Sequence, residues 1–279
     1  MTKNKIDCPV FVITLDYAQE RREIISARLR ELSLSCKFIP GVDGRKLDLL
    51  SHPAYEPVKR RLFFGRDLSA GEFGCVLAHR NVYQYMADNH ILRALVLEDD
   101  ATLADALPTV IKALCNIPAT WDLIRFLGRQ KNYRSQRSIL PLEKTGSMLS
   151  RQHGTHGGAY GYMINLEAAK RLLSMMQKNW MAIDTLHGVT WLTRLKTFSV
   201  MPSPVLPNDD VPSCIDEQDA NKRWDKSVRM AKWQRPLYPF TRGLWKLYLN
   251  CAVKIVWFGS WPSDARLRRR STGSQRSRR

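Results

Sequence analysis

Three consecutive acids, Glu98-Asp99-Asp100, follow directly on the apolar run Ala94-Leu95-Val96-Leu97. Carboxylates a few ångströms apart repel one another and raise each other's pKa unless a positive charge sits among them. A divalent cation with oxygen ligands removes that conflict, and magnesium or manganese keeps coordination places for water and phosphate oxygens. A diphosphate leaving group would then depart with its charge neutralised. The rival reading is structural, with the acids capping a helix over Ala101 to Leu114. Position and spacing alone leave both open.

Other residues carry the same pair of readings. Ser69-Ala70-Gly71-Glu72 fits a capping box, which makes Glu72 a cap before it is a catalyst. His79 falls two helical turns later on the same side, near the acids, as a substrate contact or a structural histidine. Asp184 follows Met181-Ala182-Ile183 and is either the N-cap of a helix through Leu195 or a general base. Gly157-Gly158 permits a tight backbone or a close ligand approach. Arg21 and Arg22 are phosphate ligands or solvated helix arginines.

These residues need elements to hold them. Val10 to Leu15 is a short β-branched run, Glu20 to Leu32 places Ile24, Ile25, Leu29 and Leu32 near one helical face, and Cys36 to Ile39 is a second strand. That is a βαβ unit with a right-handed crossover in a parallel sheet. Its first strand ends at Thr14-Leu15-Asp16, on the carboxyl edge where ligands bind in open α/β folds. A helix from Ser69 to about Asp88, strands over 94–97, 122–127, 157–164 and 198–200, and a helix over 167–176 capped by Asn165 continue the alternation. Lys131 to His153 is polar and weakly periodic and reads as loop; a proline-studded stretch, Met201 to Pro212, closes the domain. The fold class expected is α/β.

The charge is unevenly placed. The 279 residues carry a formal net charge of +18. From Asn221 onward there are sixteen Lys and Arg against Asp225 and Asp264, leaving only about +4 for the first 220 residues. The chain thus divides into a globular unit, 1–220, and a basic extension, 221–279. A hydrophobic content of 44% excludes a mainly disordered or fibrous chain. Six cysteines, each alone in sequence, argue against a zinc site or a disulfide framework. Met1 to Asp7 lacks the apolar core of a signal peptide, and no stretch is long and apolar enough to span a bilayer; a reducing, cytoplasmic setting is expected. In the extension, Leu237 to Trp261 mixes aromatics with Arg242, Lys246 and Lys254, suiting an interfacial helix beside an anionic membrane. A last helix packed on the catalytic domain is the rival. No nucleic-acid module accompanies the basic tail, so specific nucleic-acid binding is not expected.

Taken in order, the motifs resemble glycosyltransferase family 25, the bacterial lipopolysaccharide and lipooligosaccharide transferases. They are Val12-Ile13-Thr14-Leu15-Asp16 with Arg21 and Arg22, Gly41-Val42-Asp43-Gly44, Gly71-Glu72-Phe73-Gly74-Cys75-Val76-Leu77-Ala78-His79, Leu97-Glu98-Asp99-Asp100, Tyr160-Gly161-Tyr162, and Ala182-Ile183-Asp184. Ala78 stands where the family usually has Ser, and Ala182 replaces the Pro of the last motif. The similarity runs from about residue 9 to 215. It implies a GT-A type, Rossmann-like fold, and an inverting transfer from a UDP-sugar, commonly UDP-galactose, to a saccharide acceptor. UDP-glucose or N-acetylhexosamine donors, or an inactive membrane-bound assembly partner, are the alternatives. By resemblance, Glu98 and Asp100 would meet the metal (Mn2+ or Mg2+) and, with Asp99, the nucleotide. Thr14, Leu15, Arg21 and Asp43 would line the nucleotide pocket, His79 would approach the diphosphate, and Asp184 would be the general base. A lipid-linked oligosaccharide acceptor would place the protein on the cytoplasmic face of the inner membrane.

Overall fold

The computed structural model describes residues 8–117, 120–128, 136–208 and 230–276. Strands β1 (Val10–Thr14), β2 (Cys36–Pro40) and β3 (Arg93–Glu98) lie side by side in parallel, with β1 in the middle. Every residue of β1 is buried, which is why its sequence is continuously apolar rather than alternating. Helix α1 (Gln19–Glu31) connects β1 to β2. Helix α2 (Pro57–Phe64) precedes α3 (Ala70–Asp88), which leads into β3. The capping box forms as expected: Ser69 Oγ accepts from the Glu72 amide at 3.1 Å, and Glu72 accepts from the Ser69 amide at 2.9 Å.

After β3 come β4 (Ala101–Leu103), α4 (Leu107–Cys115) and β5 (Leu123–Arg125), then a hairpin of β6 (Gln136–Pro141) and β7 (Met148–Gln152). Strand β8 (Gly161–Asn165) feeds α5 (Leu166–Met175), whose N-cap Asn165 accepts from the Ala168 amide at 2.8 Å. Short helices α6 (Ile183–Gly188) and α7 (Thr190–Thr193) lead to β9 (Thr197–Met201), and β10 (Val205–Pro207) pairs with β4 in a small second sheet. The main sheet has the order β2-β1-β3-β8-β5-β9-β7-β6. Strands β2, β1, β3, β5, β9 and β6 run one way; β8 and β7 run the other. One core, with α3, α5 and α6, covers one face, and a second, with α1 and α4, covers the other.

Several expectations are corrected. The β1–α1–β2 unit is parallel as expected, but the sheet as a whole is mixed, because β8 inserts antiparallel between β3 and β5. The stretch read as loop carries the β6–β7 hairpin; residues 131–135 of it lie outside the described residues. No helix starts at the acids: the chain continues into β4, and α4 begins at Leu107 with Ala106 before it. Asp184 is not an N-cap, since Ala182 holds that place and the helix expected through Leu195 is broken into α6 and α7.

The described part of the basic extension packs on the α/β unit. Helix α8 (Gln234–Gly259) lays Trp245 against Phe63 of α2 and Trp180, with ring centroids 5.2 and 5.3 Å away. Thr241 and Arg242 donate to the carbonyls of Leu62 and Phe63, giving the end of α2 partners for its unpaired acceptors. Helix α9 (Trp261–Arg276) docks on β6 through Asp264. The boundary expected near residue 220, and Cys214, lie outside the described residues. Among the described residues, no helix is long and apolar enough to cross a membrane, and Cys8, Cys36, Cys75, Cys115 and Cys251 are free thiols.

Candidate functional site

The carboxyl ends of β1 and β3 and the amino-terminal half of α3 enclose a cleft of about 770 Å³, counted to its open mouth. That is within the roughly 300–1,000 Å³ of small-molecule sites. Thr14, Leu15, Arg21, Asp43, His79, Glu98, Asp99 and Asp100 all line it. Close backbone approach shapes one wall. A Cβ on Gly44 would stand 1.8 Å from the Ala70 carbonyl oxygen, and one on Gly74 would stand 2.4 Å from that of Val42. The Gly41–Gly44 turn therefore sits hard against α3, and only glycines permit it.

The acids behave as their spacing predicts. Burial, then the charges of Glu98 and Asp99, push the Asp100 carboxyl up to about 7. Burial also raises Asp99, although Thr14 and Arg21 oppose it; Arg21 lies 3.7 Å from Asp99. Arg21 thus answers a carboxylate within the protein, while Arg22 lies over the Phe38 ring at 4.2 Å, away from the cleft. Asp43 holds Arg45 in a fork, with Arg45 Nε 2.6 Å from Oδ1, and Arg45 donates onward to Tyr17 Oη at 2.7 Å. Hydrogen bonding to Arg45 keeps the Asp43 carboxyl low despite partial burial.

His79 is fully buried. Its Nε2 is 3.2 Å from Glu98 Oε1 and its Nδ1 is 2.7 Å from Tyr162 Oη. Tyr162 meets Tyr83, which meets His187 Nε2 at 2.7 Å. Burial, then Arg125 and His79, push the His187 pKa well down, so its ring is neutral. The thiol of Cys75 donates to Glu98 at 3.7 Å. Glu72 faces away from the cleft, in a two-pronged pair with Arg66 at 2.7 Å beside its capping bond. Asp184 is not among the lining residues. Its Oδ1 accepts from the Thr185 amide at 2.6 Å, and its Oδ2 would lie 3.1 Å from a Cβ on Gly157.

Two donor sets could hold a cation. Cys75, His79 and Glu98 bring a thiol, a ring nitrogen and a carboxylate within 4.8 Å of one another. Burial, then Glu98 and Asp184, raise the Cys75 thiol well above its ordinary value, so a cation bound there would have to displace its proton. Glu98, Asp99 and Asp100 offer hard oxygens, though among the described residues they do not bring one oxygen apiece within 4.8 Å of one another. Burial, then the charges of Glu98 and Asp99, raise Asp100, and a nearby divalent cation would offset both.

Sequence reasoning did not single out Arg45, Tyr17, Tyr83, His187 or Arg125. Arg45 had one available signal, its place directly after the Asp43-Gly44 turn. The others gather from separate elements, and only folding brings them together.

The chain matches the family model described as glycosyltransferase family 25 (LPS biosynthesis protein) over residues 7–187. It is 26% identical over 255 residues to procollagen galactosyltransferase 1 of Danio rerio, covering 81% of this chain and 41% of that protein. It is 24% identical over 266 residues to procollagen galactosyltransferase 2 of Homo sapiens, covering 86% and 42%. Similarity extends to the inactive glycosyltransferase 25 family member 3 of Mus musculus, 28% identical over 241 residues, covering 77% and 40%. The chain therefore spans about two fifths of the length of these curated relatives. The matched span takes in the cleft, both glycine turns and the acids, and so this chain belongs to glycosyltransferase family 25.

Proposed function

We propose that the chain transfers galactose from UDP-galactose to a saccharide hydroxyl with inversion, on a GT-A type fold whose donor site is the acidic cleft. The observation that carries this reading is the meeting of Glu98, Asp99 and Asp100 with Thr14, Arg21, Asp43 and His79 on one wall-lined cleft at the carboxyl edge of the sheet. Glu98 and Asp100 would hold Mg2+ or Mn2+, which supplies neutralisation of the diphosphate as it leaves. Asp43 and Arg45 present a hydrogen-bonding pair suited to the nucleoside end. Asp184 is the candidate base for the acceptor hydroxyl, standing beside Gly157 rather than in the donor cleft. The relatives' names support galactose as the sugar.

The test is a screen of UDP-sugars and acceptors with each metal, read by mass spectrometry, with UDP binding followed separately. UDP-galactose should turn over in a metal-dependent way, and Asp100→Asn should abolish metal-dependent UDP binding in a folded protein. Turnover with UDP-glucose or an N-acetylhexosamine alone would replace the sugar. If neither the metal nor any UDP-sugar binds, the donor-site reading is refuted.

We also propose that the acceptor is lipid-linked and met at an anionic membrane surface on its cytoplasmic side. A specific feature favours this. Opposite the face that packs on α2, helix α8 exposes Leu237, Phe240, Leu244, Leu247, Ile255 and Phe258 in a continuous stripe, flanked by exposed Arg235, Lys246 and Lys254. An apolar stripe edged by cations suits the headgroup boundary of anionic lipid. The triple variant Phe240→Ser, Leu244→Ser, Leu247→Ser should stay folded and lose sedimentation with phosphatidylserine vesicles. Undiminished binding would overturn the assignment.

A further inference from the structure

Beneath the acidic cleft runs a buried line of polar groups, Glu98–His79–Tyr162–Tyr83–His187, whose far end reaches a second cavity. Its links measure 3.2, 2.7, 3.0 and 2.7 Å. Each link needs one proton. Burial keeps the His187 ring neutral, so it carries a single proton, on Nε2 where it donates to Tyr83 and on Nδ1 where it accepts from Tyr83. His187 Nδ1 has no hydrogen-bond partner within the protein.

That nitrogen belongs to a residue lining a cavity of about 480 Å³, counted to its open mouth, between β5, β7 and β9 on one side and α6, α7 and α8 on the other. Other lining residues also hold buried polar atoms without a partner: Arg125 Nε, Gln152 Nε2, Trp191 Nε1 and Thr197 Oγ1. Arg125 is 4% exposed and His187 0%. Folded proteins leave few such atoms unpaired, and their gathering on one cavity marks a site that takes a polar guest. Arg125 is anchored by its other end, donating to the carbonyls of His156 and Gly158 at 2.6 and 2.9 Å, so its Nε–H is held in place. Arg151, also on the wall, is already matched by Asp264 at 2.9 Å. Phe198, Leu127 and Val256 add apolar surface.

The chemistry of the guest follows from the mixture. Arg125, Gln152 and Trp191 donate at these atoms, His187 Nδ1 donates or accepts according to its tautomer, and Thr197 does either. A carboxylate or sulfate has only acceptors, and meets His187 Nδ1 in one tautomer alone, whereas a hydroxyl meets it in both. A hydrocarbon would leave every donor unpaired. A sugar ring donates and accepts through each hydroxyl and has an apolar face for the aromatic and aliphatic wall. We propose that this cavity is a second saccharide site, separate from the acidic cleft and closed on one side by the carboxyl-terminal helix α8.

The test uses the full chain labelled with nitrogen-15 and titrated with methyl β-galactoside, methyl β-glucoside, N-acetylglucosamine and inorganic phosphate. The indole N–H signal of Trp191, assigned from Trp191→Phe, should shift saturably with at least one sugar. Gln152→Leu should weaken that binding about tenfold, the worth of one lost hydrogen bond, while UDP still binds the acidic cleft. Thr197→Val gives the same reading if Gln152→Leu fails to fold. No saturable shift with any sugar, as for a cavity that holds only water, overturns the proposal; so does a response to phosphate in preference to sugars. Because UDP binding is followed in the same samples, failure here is distinguishable from failure of the donor site.

Discussion

Asp264 is one of two acids in a segment with sixteen basic residues, and it is 1% exposed. It accepts from Arg137 Nε at 3.0 Å and from Arg151 Nη2 at 2.9 Å, two arginines whose side chains are themselves 8% and 14% exposed. The triad ties α9 to the β6–β7 hairpin. Replacing Asp264 by Asn removes the carboxylate that the two guanidinium groups share, and both lose that charged acceptor together. Breaking a buried ion pair from one side costs about 3–5 kcal/mol. For a chain of this size that corresponds to a fall in Tm of roughly 6–20 °C, at about 2–4 °C per kcal/mol. Thermal unfolding followed by circular dichroism measures the fall, and limited proteolysis should show the chain cut within α9 while the α/β unit persists. A second variant, Arg137→Met with Arg151→Leu and Asp264→Leu, should recover most of the loss, because exchanging a whole buried ion cluster for apolar side chains is often nearly neutral. A Tm for Asp264→Asn within about 2 °C of the parent, with unchanged proteolysis, would refute the reasoning and leave α9 held by something else.

Gly44→Ala should lower stability by about 3 kcal/mol or more, since the new methyl must displace the Ala70 carbonyl of α3. Gly243→Ala, where open space surrounds the added methyl in the middle of α8, should stabilise by about 0.5–1 kcal/mol; chemical denaturation of the two separates close packing from a general effect of glycine. Burial raises the Glu72 carboxyl, but Arg66 and the Ser69 amide outweigh it and hold the group below its ordinary 4.5. A depressed folded-state pKa contributes stability that is present above the unfolded value and lost as pH falls through the folded one. The Tm advantage of the parent over Glu72→Gln should therefore be full above about pH 4.5 and shrink on further acidification; a gap that stays constant in acid would contradict that origin.

The elements that hold the acidic cleft are legible in the chain. The β1 and β3 runs are apolar at every position because both faces of the sheet are covered, and that signal needs no knowledge of partners. Ser69 with Glu72, and Asn165, fix helix starts through bonds within three residues, so they too were readable. The placing of Thr14, Asp43, His79 and the acids on one edge follows from strand ends, which the chain order already ordered. Only the tertiary structure decided the rest. The stretch holding the β6–β7 hairpin reads as loop because its strands lack clean alternation; Arg137 and Arg151 face inward and meet their counter-charge more than a hundred positions away, on α9. Spacing alone leaves the two readings of the acids open; the chain entering β4 rather than a helix removes the capping one. The same holds for the tail: composition showed a basic, aromatic segment, while docking of Trp245 on Phe63 and Trp180 showed which side of α8 faces the protein and which is left exposed. The line from Glu98 to His187 joins residues 89 positions apart through hydrogen bonds about 3 Å long. Local propensity reaches a few residues; bonds of that kind depend on the packing of whole elements, and so remain invisible until the fold brings them together.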